Sequence, residues 1–219
     1  MSTNEIAQKQ PQNVILPELD SLKTYAKLYA ASSFLPAAWR KLPDVEKVAD
    51  LVIVINRANA LGCDPLLLLQ NMTIIAGNVG WKSTFMLQLL QFAGWTAPEY
   101  AFTGDPNSPD FWQKDDNGIV FSAVNPATGQ REKGSKITAR MVIGERWLER
   151  DGSKWRTMPE QMLKYRAIAF FCRTNAPNVL GGFYAQDELE DIVAQERAKK
   201  VDEPDAETQK KAEAWAANN

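Results

Sequence analysis

Histidine is absent from the 219 residues. Its absence excludes imidazole acid–base catalysis, Ser-His and Cys-His nucleophiles, and any zinc site that needs an imidazole ligand. Cysteine is scarce: Cys63 and Cys172 are too few for a four-thiolate centre and form no C-x-x-C pair, so both are expected as free thiols. Long aliphatic runs are also lacking, the longest being Leu51 to Ile55 and Leu66 to Leu69. The start, Met1 to Gln10, carries no basic stretch followed by an apolar core, so neither an export signal nor a membrane span is expected. There is no internal repeat and no sustained heptad, which removes solenoids and coiled coils. No catalytic residue, metal site or cofactor is expected.

Present instead is ordinary globular composition, 45% hydrophobic and 24% charged, in a 24.5 kDa chain sized for one domain with appendages. The net charge of -2 hides a gradient. Residues 1–80 hold 7 basic and 7 acidic groups, residues 81–186 hold 13 and 10, and residues 187–219 hold 5 and 10. Between Arg131 and Arg173 lie 11 basic groups against 5 acidic ones, a stretch to which a polyanion can bind.

The Asn/Gln-rich residues 1–20 are expected as a flexible arm. Ser21 is read as the cap of a helix through Leu22, Tyr25, Leu28 and Tyr29. A second helix opens at Asp44 and stops at Gly62, and Asp64-Pro65 starts a short third one. Thr73 to Val79 reads as a hairpin turning at Ala76-Gly77-Asn78, followed by a helix from Ser83 to Gly94. Pro98, Gly104, Pro106, Pro109 and Gly118 predict an irregular loop over residues 97–118. Strands are expected at Ile119 to Val124 and Ser135 to Ile143, with a smaller hairpin turning at Asp151-Gly152 between Trp147 and Trp155. Thr157 and Glu160 spell a capping box for a helix to about Arg173, and one more helix is expected from about Asp187. The fold class is therefore α+β: helices packed on a small antiparallel sheet with hairpins, a core over residues 21–192, and an acidic tail over 193–219 that is partly helical or disordered.

Gly77 to Ser83 imitates a phosphate loop, but the spacing is wrong. Trp81 stands where a Walker loop needs its second Gly, and Leu51 to Ile55 ends without a magnesium-binding Asp. Arg166 and Arg173 lie seven residues apart, within about 20° on a helical wheel, beside the apolar row Leu163, Ala167 and Phe170. Aromatic residues, Trp81, Phe111, Trp112, Trp147 and Trp155, interleave with the basic ones. Cationic grooves with stacking rings hold single strands without sequence preference, although most such rings belong to cores. The carboxylates Asp115-Asp116 and Asp202-Glu203 read as solvated charge.

Three segments in order carry a family resemblance. Ala58 to Leu66, then Ile74 to Asn78 leading into Trp81 to Gly94, and then Pro159 to Arg173 followed by Pro177 to Tyr184, resemble the RecT/Redβ-type family of phage single-strand annealing recombinases. The resemblance spans about residues 21–192, with 97–157 alike in pattern only. It departs at Trp81-Lys82-Ser83, where the family has a basic Tyr-Arg-Gly type entry. It implies a non-enzymatic, ATP-independent protein of the bacterial host cytoplasm that binds single-stranded DNA, acts as a ring or helical filament of identical subunits, and pairs complementary strands. Phosphate or base contacts are then expected from Trp81, Lys82, Arg131, Lys133, Lys136, Arg140, Trp147, Lys154, Arg156, Arg166 and Arg173. The acidic tail is a candidate contact for a host single-strand-binding protein or a partner exonuclease. The rival readings are a phage structural or adaptor protein and a nucleotide-dependent enzyme.

Overall fold

A computed structural model describes residues 19–150 and 152–202, with side chains to residue 194. Most of the proposed arm, the tail beyond Asp202, and Asp151 lie outside the described residues.

The first third is helical: α1 (Leu19–Ala30), α2 (Ala37–Arg40), α3 (Asp44–Leu61) and α4 (Pro65–Asn71). Ser21 sits inside α1 rather than capping it. The stop of α3 is the expected one, since Gly62 takes φ +65°, a left-handed conformation that other residues adopt at a cost. Asp64 caps α4 through its carboxylate, which accepts from the Leu66 amide at 2.7 Å, with Pro65 in the first turn. Strands β1 (Met72–Ile75) and β2 (Asn78–Trp81) form the expected hairpin. Its loop, Ala76-Gly77, has φ +50° and +80°, the two left-handed residues of a type I′ turn. A 3-10 turn (Ser83–Phe85) and α5 (Met86–Phe92) follow.

The second part is a four-stranded antiparallel sheet backed by a long helix. Strands β3 (Thr96–Thr103), β4 (Gly118–Val124) and β5 (Arg131–Lys133) lie in that order, and β6 (Ile137–Thr138) pairs with β4 beyond β5. The loop expected over residues 97–118 is thus an eight-residue strand in its first part. Pro98 falls where the β3–β4 register shifts between Thr96 and Glu99, so the bulge absorbs its missing donor, and β3 is an edge strand. Only residues 104–117 are irregular, around a 3-10 turn at Phe111–Gln113.

The strand expected from Ser135 to Ile143 ends after Thr138. The Thr138 hydroxyl accepts from the Met141 amide at 3.2 Å and starts α6 (Ala139–Gly144), which buries Ala139 and Val142 three residues apart. Among the described residues no strand flanks Gly152: Trp147 lies in a 3-10 turn (Trp147–Glu149) and stacks on Trp155, rings 5.1 Å apart. The capping box does not form either. Helix α7 (Pro159–Asn175) starts after Met158, which makes no side-chain cap, and Glu160 pairs with Lys164 instead. Finally α8 (Pro177–Leu180), β7 (Tyr184–Ala185) and α9 (Gln186–Asp202) complete the described residues, β7 adding parallel to β2 to form a three-stranded sheet.

Helix α7 carries the core. It buries Leu163, Ala167, Phe171 and Cys172, and Phe171 meets Phe121 of β4 and Trp95 edge-on at 4.9 and 5.0 Å. Gly118 is required where β4 meets β6, because a Cβ there would stand 2.1 Å from the Ile137 carbonyl oxygen. Replacing Gly118 by alanine is expected to cost about 1–3 kcal/mol, the usual range for forced overpacking. A lowered urea midpoint with an unchanged slope would show it.

Candidate nucleic-acid interface

Alternation along β5 sorts its charges. Arg131 pairs with Val124 and Lys133 with Ser122, so both point from the sheet face opposite α7, whereas Glu132, paired with Ala123, points to the α7 side. There the Glu132 carboxylate accepts from the amides of Asn125 at 2.6 Å and Asn175 at 3.1 Å, which hold its pKa below the usual glutamate range. The acid that separates two cations in sequence is removed to the other face in space.

The chain then continues along the same side of β4. Lys136 pairs with Asp116 at 2.8 Å, and Arg140 is exposed on α6, where its amide points to the Asp115 carbonyl at 3.4 Å. Residues 131–140 thus lay four cations along one edge of the sheet. Arg131 is partly spent, donating to Ala97 O and Ser122 Oγ at 3.0 Å each and standing 3.2 Å from Glu99. Lys133 and Arg140 make no ion pair among the described residues, nor does the exposed Lys154, while Arg156 donates through Nε to Leu148 O at 2.9 Å.

Other expected contacts are placed elsewhere. Trp81 is fully buried, its indole N–H donating to Leu180 O at 3.0 Å, with Phe183 edge-on at 5.6 Å. Trp147 is buried under Arg166, whose guanidinium lies 4.0 Å from the ring centre. Neither indole offers a face to a base, because apolar area of that size is most stable inside the core. Lys82 is half-buried beside the three-stranded sheet and donates to Gln70 O at 2.6 Å, apart from the 131–140 edge.

Arg166 is the largest departure from the expected basic flank. It is only 3% exposed and reaches Asp191 at 2.7 Å. Its Nε lies 3.0 Å from Asp187 Oδ2, at an angle that makes this an ion pair rather than a hydrogen bond. Arg150 also pairs with Asp191, and Arg173 binds Glu188 at 2.5 Å while lying over the Tyr184 ring. The acidic first turns of α9 therefore neutralise three arginines that the charge count treats as free. Burial pushes the Asp187 carboxyl up to about 6; Arg166 opposes the rise, and Glu188 and Asp191 add to it.

With the folded value above the ordinary 3.8, Asp187 contributes stability that is complete below about pH 4 and is lost as the pH rises through about 6. Chemical unfolding at pH 5 and pH 7 is expected to show a smaller stability difference in Asp187→Asn than in the parent chain. Equal differences would place the titration elsewhere.

A cleft of about 380 Å³ opens beside this clamp, lined by Met141, Phe170, Arg173, Tyr184 and Glu188 among others. Tyr184 is the half-exposed ring that sequence reasoning missed; its position two residues before α9 carries no signal of exposure. Both cysteines are free, as expected, and burial pushes Cys63 up to about 11 and Cys172 up to about 12, so neither is a thiolate nucleophile at neutral pH. Among the described residues no group of His, Cys, Asp or Glu is placed to hold a metal ion, and no single helix is long and apolar enough to cross a membrane.

Compared with known proteins, the chain matches the RecT family over residues 98–204, from β3 through α9. The match takes in the sheet, the cationic edge, α7 and the closing turn. It includes residues 98–157, nearly all of the stretch over 97–157 where the resemblance was expected in pattern only, and leaves out the earlier segments around Gly62 and Trp81. No curated protein and no solved structure matches the chain. The RecT family is one of non-enzymatic single-strand annealing proteins of phage-type recombination. Residues 98–204, just under half of the chain, are thus similar to the RecT family of single-strand annealing proteins.

Proposed function

We propose that the protein binds single-stranded DNA and anneals complementary strands without ATP, acting as an oligomer in phage-type homologous recombination. The observation that carries this reading is the position of the unpaired cations: Lys133, Arg140 and Lys154 all lie inside the family-matched segment. Arg131, Lys136 and Arg156 stand beside them, held by neutral or single acidic partners that a phosphate can replace. Binding by these groups releases counterions, so affinity falls as salt rises and is indifferent to sequence. No covalent step is needed. The sheet face holds a backbone while the Watson–Crick edges stay open to a second strand.

Arg173 and Tyr184 extend the reading toward the α7–α9 cleft, where a ring and a guanidinium can meet a base and a phosphate. A bacterial host single-strand-binding protein or a phage exonuclease remains the proposed partner of the acidic tail, and the bacterial cytoplasm the proposed location.

The test mixes purified protein with a labelled oligonucleotide, adds the complement without nucleotide, and follows duplex formation at two salt concentrations beside a non-complementary control. Fast annealing that salt weakens is the expected result. Absence of binding at low salt would sink the assignment in favour of a structural or adaptor protein, and a strict ATP requirement would revive a nucleotide-dependent one.

A further inference from the structure

Helix α9 opens with half of a capping box. Glu188 is its third residue, and the carboxylate reaches back to accept from the Ala185 amide at the helix entrance, at 2.8 Å. The same carboxylate accepts twice from the Arg173 fork, from Nη2 at 2.5 Å and from Nε at 3.3 Å. Arg173 in turn lies over the Tyr184 ring, 5.4 Å from its centre. One guanidinium thus meets a carboxylate at its donors beside a half-exposed ring, an arrangement in which a phosphate can replace the carboxylate and a base can stack on the ring.

The surrounding contacts hold the helix and leave that one side chain able to turn. Leu189 is 1% exposed and packs on β2, where a Cβ on Gly80 would stand 2.7 Å from Leu189 Cδ1. Asp187 and Asp191 are tied to the buried Arg166, and Tyr184 is paired with Gly80 across the parallel strands. The partner of Glu188 stands in the open instead: the Arg173 side chain is 39% exposed against 3% for Arg166. A change of Glu188 rotamer therefore uncovers Arg173 with the α9 backbone in place. With Glu188 turned in, the cleft lining sets Arg166 and Arg173 against Glu145, Glu188 and Asp191, a balance that repels an anion. Helix α6 connects this cleft to the cationic edge, carrying Arg140 on the edge and Met141 in the cleft.

We propose that Glu188 is a built-in competitor for a strand phosphate at Arg173, a side-chain gate over a one-nucleotide subsite formed by Arg173 and Tyr184. When the gate opens, a phosphate takes the fork and its base stacks on the tyrosine. A strand already held along Lys133 and Arg140 presents its next phosphates at high local concentration, so the subsite fills after the edge and not before it. The proposal rests on the single-strand binding reading and names what regulates this part of it.

The experiment measures the affinity of the full chain for a labelled oligothymidylate by fluorescence anisotropy. Glu188→Gln removes the charge and keeps the reach-back to the Ala185 amide, since Gln serves that position as well as Glu does. It should bind about three- to tenfold more tightly than the parent, the scale of one partly exposed, forked ion pair. Glu188→Ala, which gives up the reach-back too, should shift affinity in the same direction, so the result does not hang on one substitution. Arg173→Ala should bind more weakly than the parent, and adding Glu188→Gln to it should bring no gain. Glu190→Gln removes the same charge from an exposed position two residues on and should change affinity by less than about twofold, because solvent and salt screen it. No gain in the two Glu188 variants, a gain that persists without Arg173, or an equal gain in Glu190→Gln would each overturn the gate. A parent that binds the oligonucleotide at no salt concentration overturns the DNA-binding reading and the gate with it, whereas a binding parent whose variants fail these tests overturns the gate alone.

Discussion

Arg166→Ala is expected to lower folding stability by about 3–5 kcal/mol, the range for breaking a buried ion pair from one side. The size follows from what is left behind. Asp187 would be buried without its cation, and Asp191 would keep only Arg150. Trp147 would lose the guanidinium over its ring, and α9 would lose the Arg166 pairs to α7 and keep the Arg173–Glu188 pair. Urea unfolding followed by tryptophan fluorescence measures the loss directly. Should the variant unfold within about 1 kcal/mol of the parent and instead lose DNA binding while folded, Arg166 would be a phosphate ligand and the clamp would be open when DNA is bound. Arg166→Lys is expected to recover only part of the stability, because one ammonium cannot span the two carboxylates as a planar fork does.

The second large effect concerns binding. Lys133→Ala, Arg140→Ala and Lys154→Ala combined should reduce the slope of log affinity against log salt by about 2, at roughly 0.7 per phosphate contact for a single strand. The loss should be the same for different sequences, because phosphate contacts carry no sequence information. Folding stability should stay within about 0.5 kcal/mol, since all three side chains are exposed. An unchanged slope would leave these residues as ordinary solvated charge, with Lys133 protecting the edge strand β5 from pairing with other chains, a role that cations at edges commonly serve. The same titration on Arg173→Ala would show whether the cleft beside Tyr184 takes part. There a reduced slope requires that Glu188 yield its partner to phosphate.

Local chemistry makes several elements legible in the sequence itself. Gly62, Asp64-Pro65 and Ala76-Gly77 each set a backbone angle or satisfy a donor within a few residues, so their consequences do not depend on the rest of the chain. The departures share a different cause. Pro98 reads as a strand breaker in isolation, but the neighbouring strand accommodates it with a bulge. Residues 139–143 carry β-branched side chains that suit a strand, but Thr138 caps a helix there and Ala139 and Val142 find the core. Thr157 and Glu160 have the spelling of a capping box, yet Pro159 starts the helix after Met158 and Lys164 takes the glutamate.

The cationic site divides in the same way. That residues 131–173 are basic is a property of composition, and so is the exclusion of histidine chemistry and of a correctly spaced phosphate loop. Which of those cations are free is not. Lys133 stays available because strand alternation sends Glu132 to the far face, while Arg166 is lost to Asp187 and Asp191, 21 and 25 residues downstream. Sequence alone determined the α+β class, the likeness to the RecT family and the sign of the charge, all of which rest on patterns and counts along the chain. The tertiary structure decided which indoles are core and which arginines are neutralised, because burial and ion pairing depend on which distant elements meet.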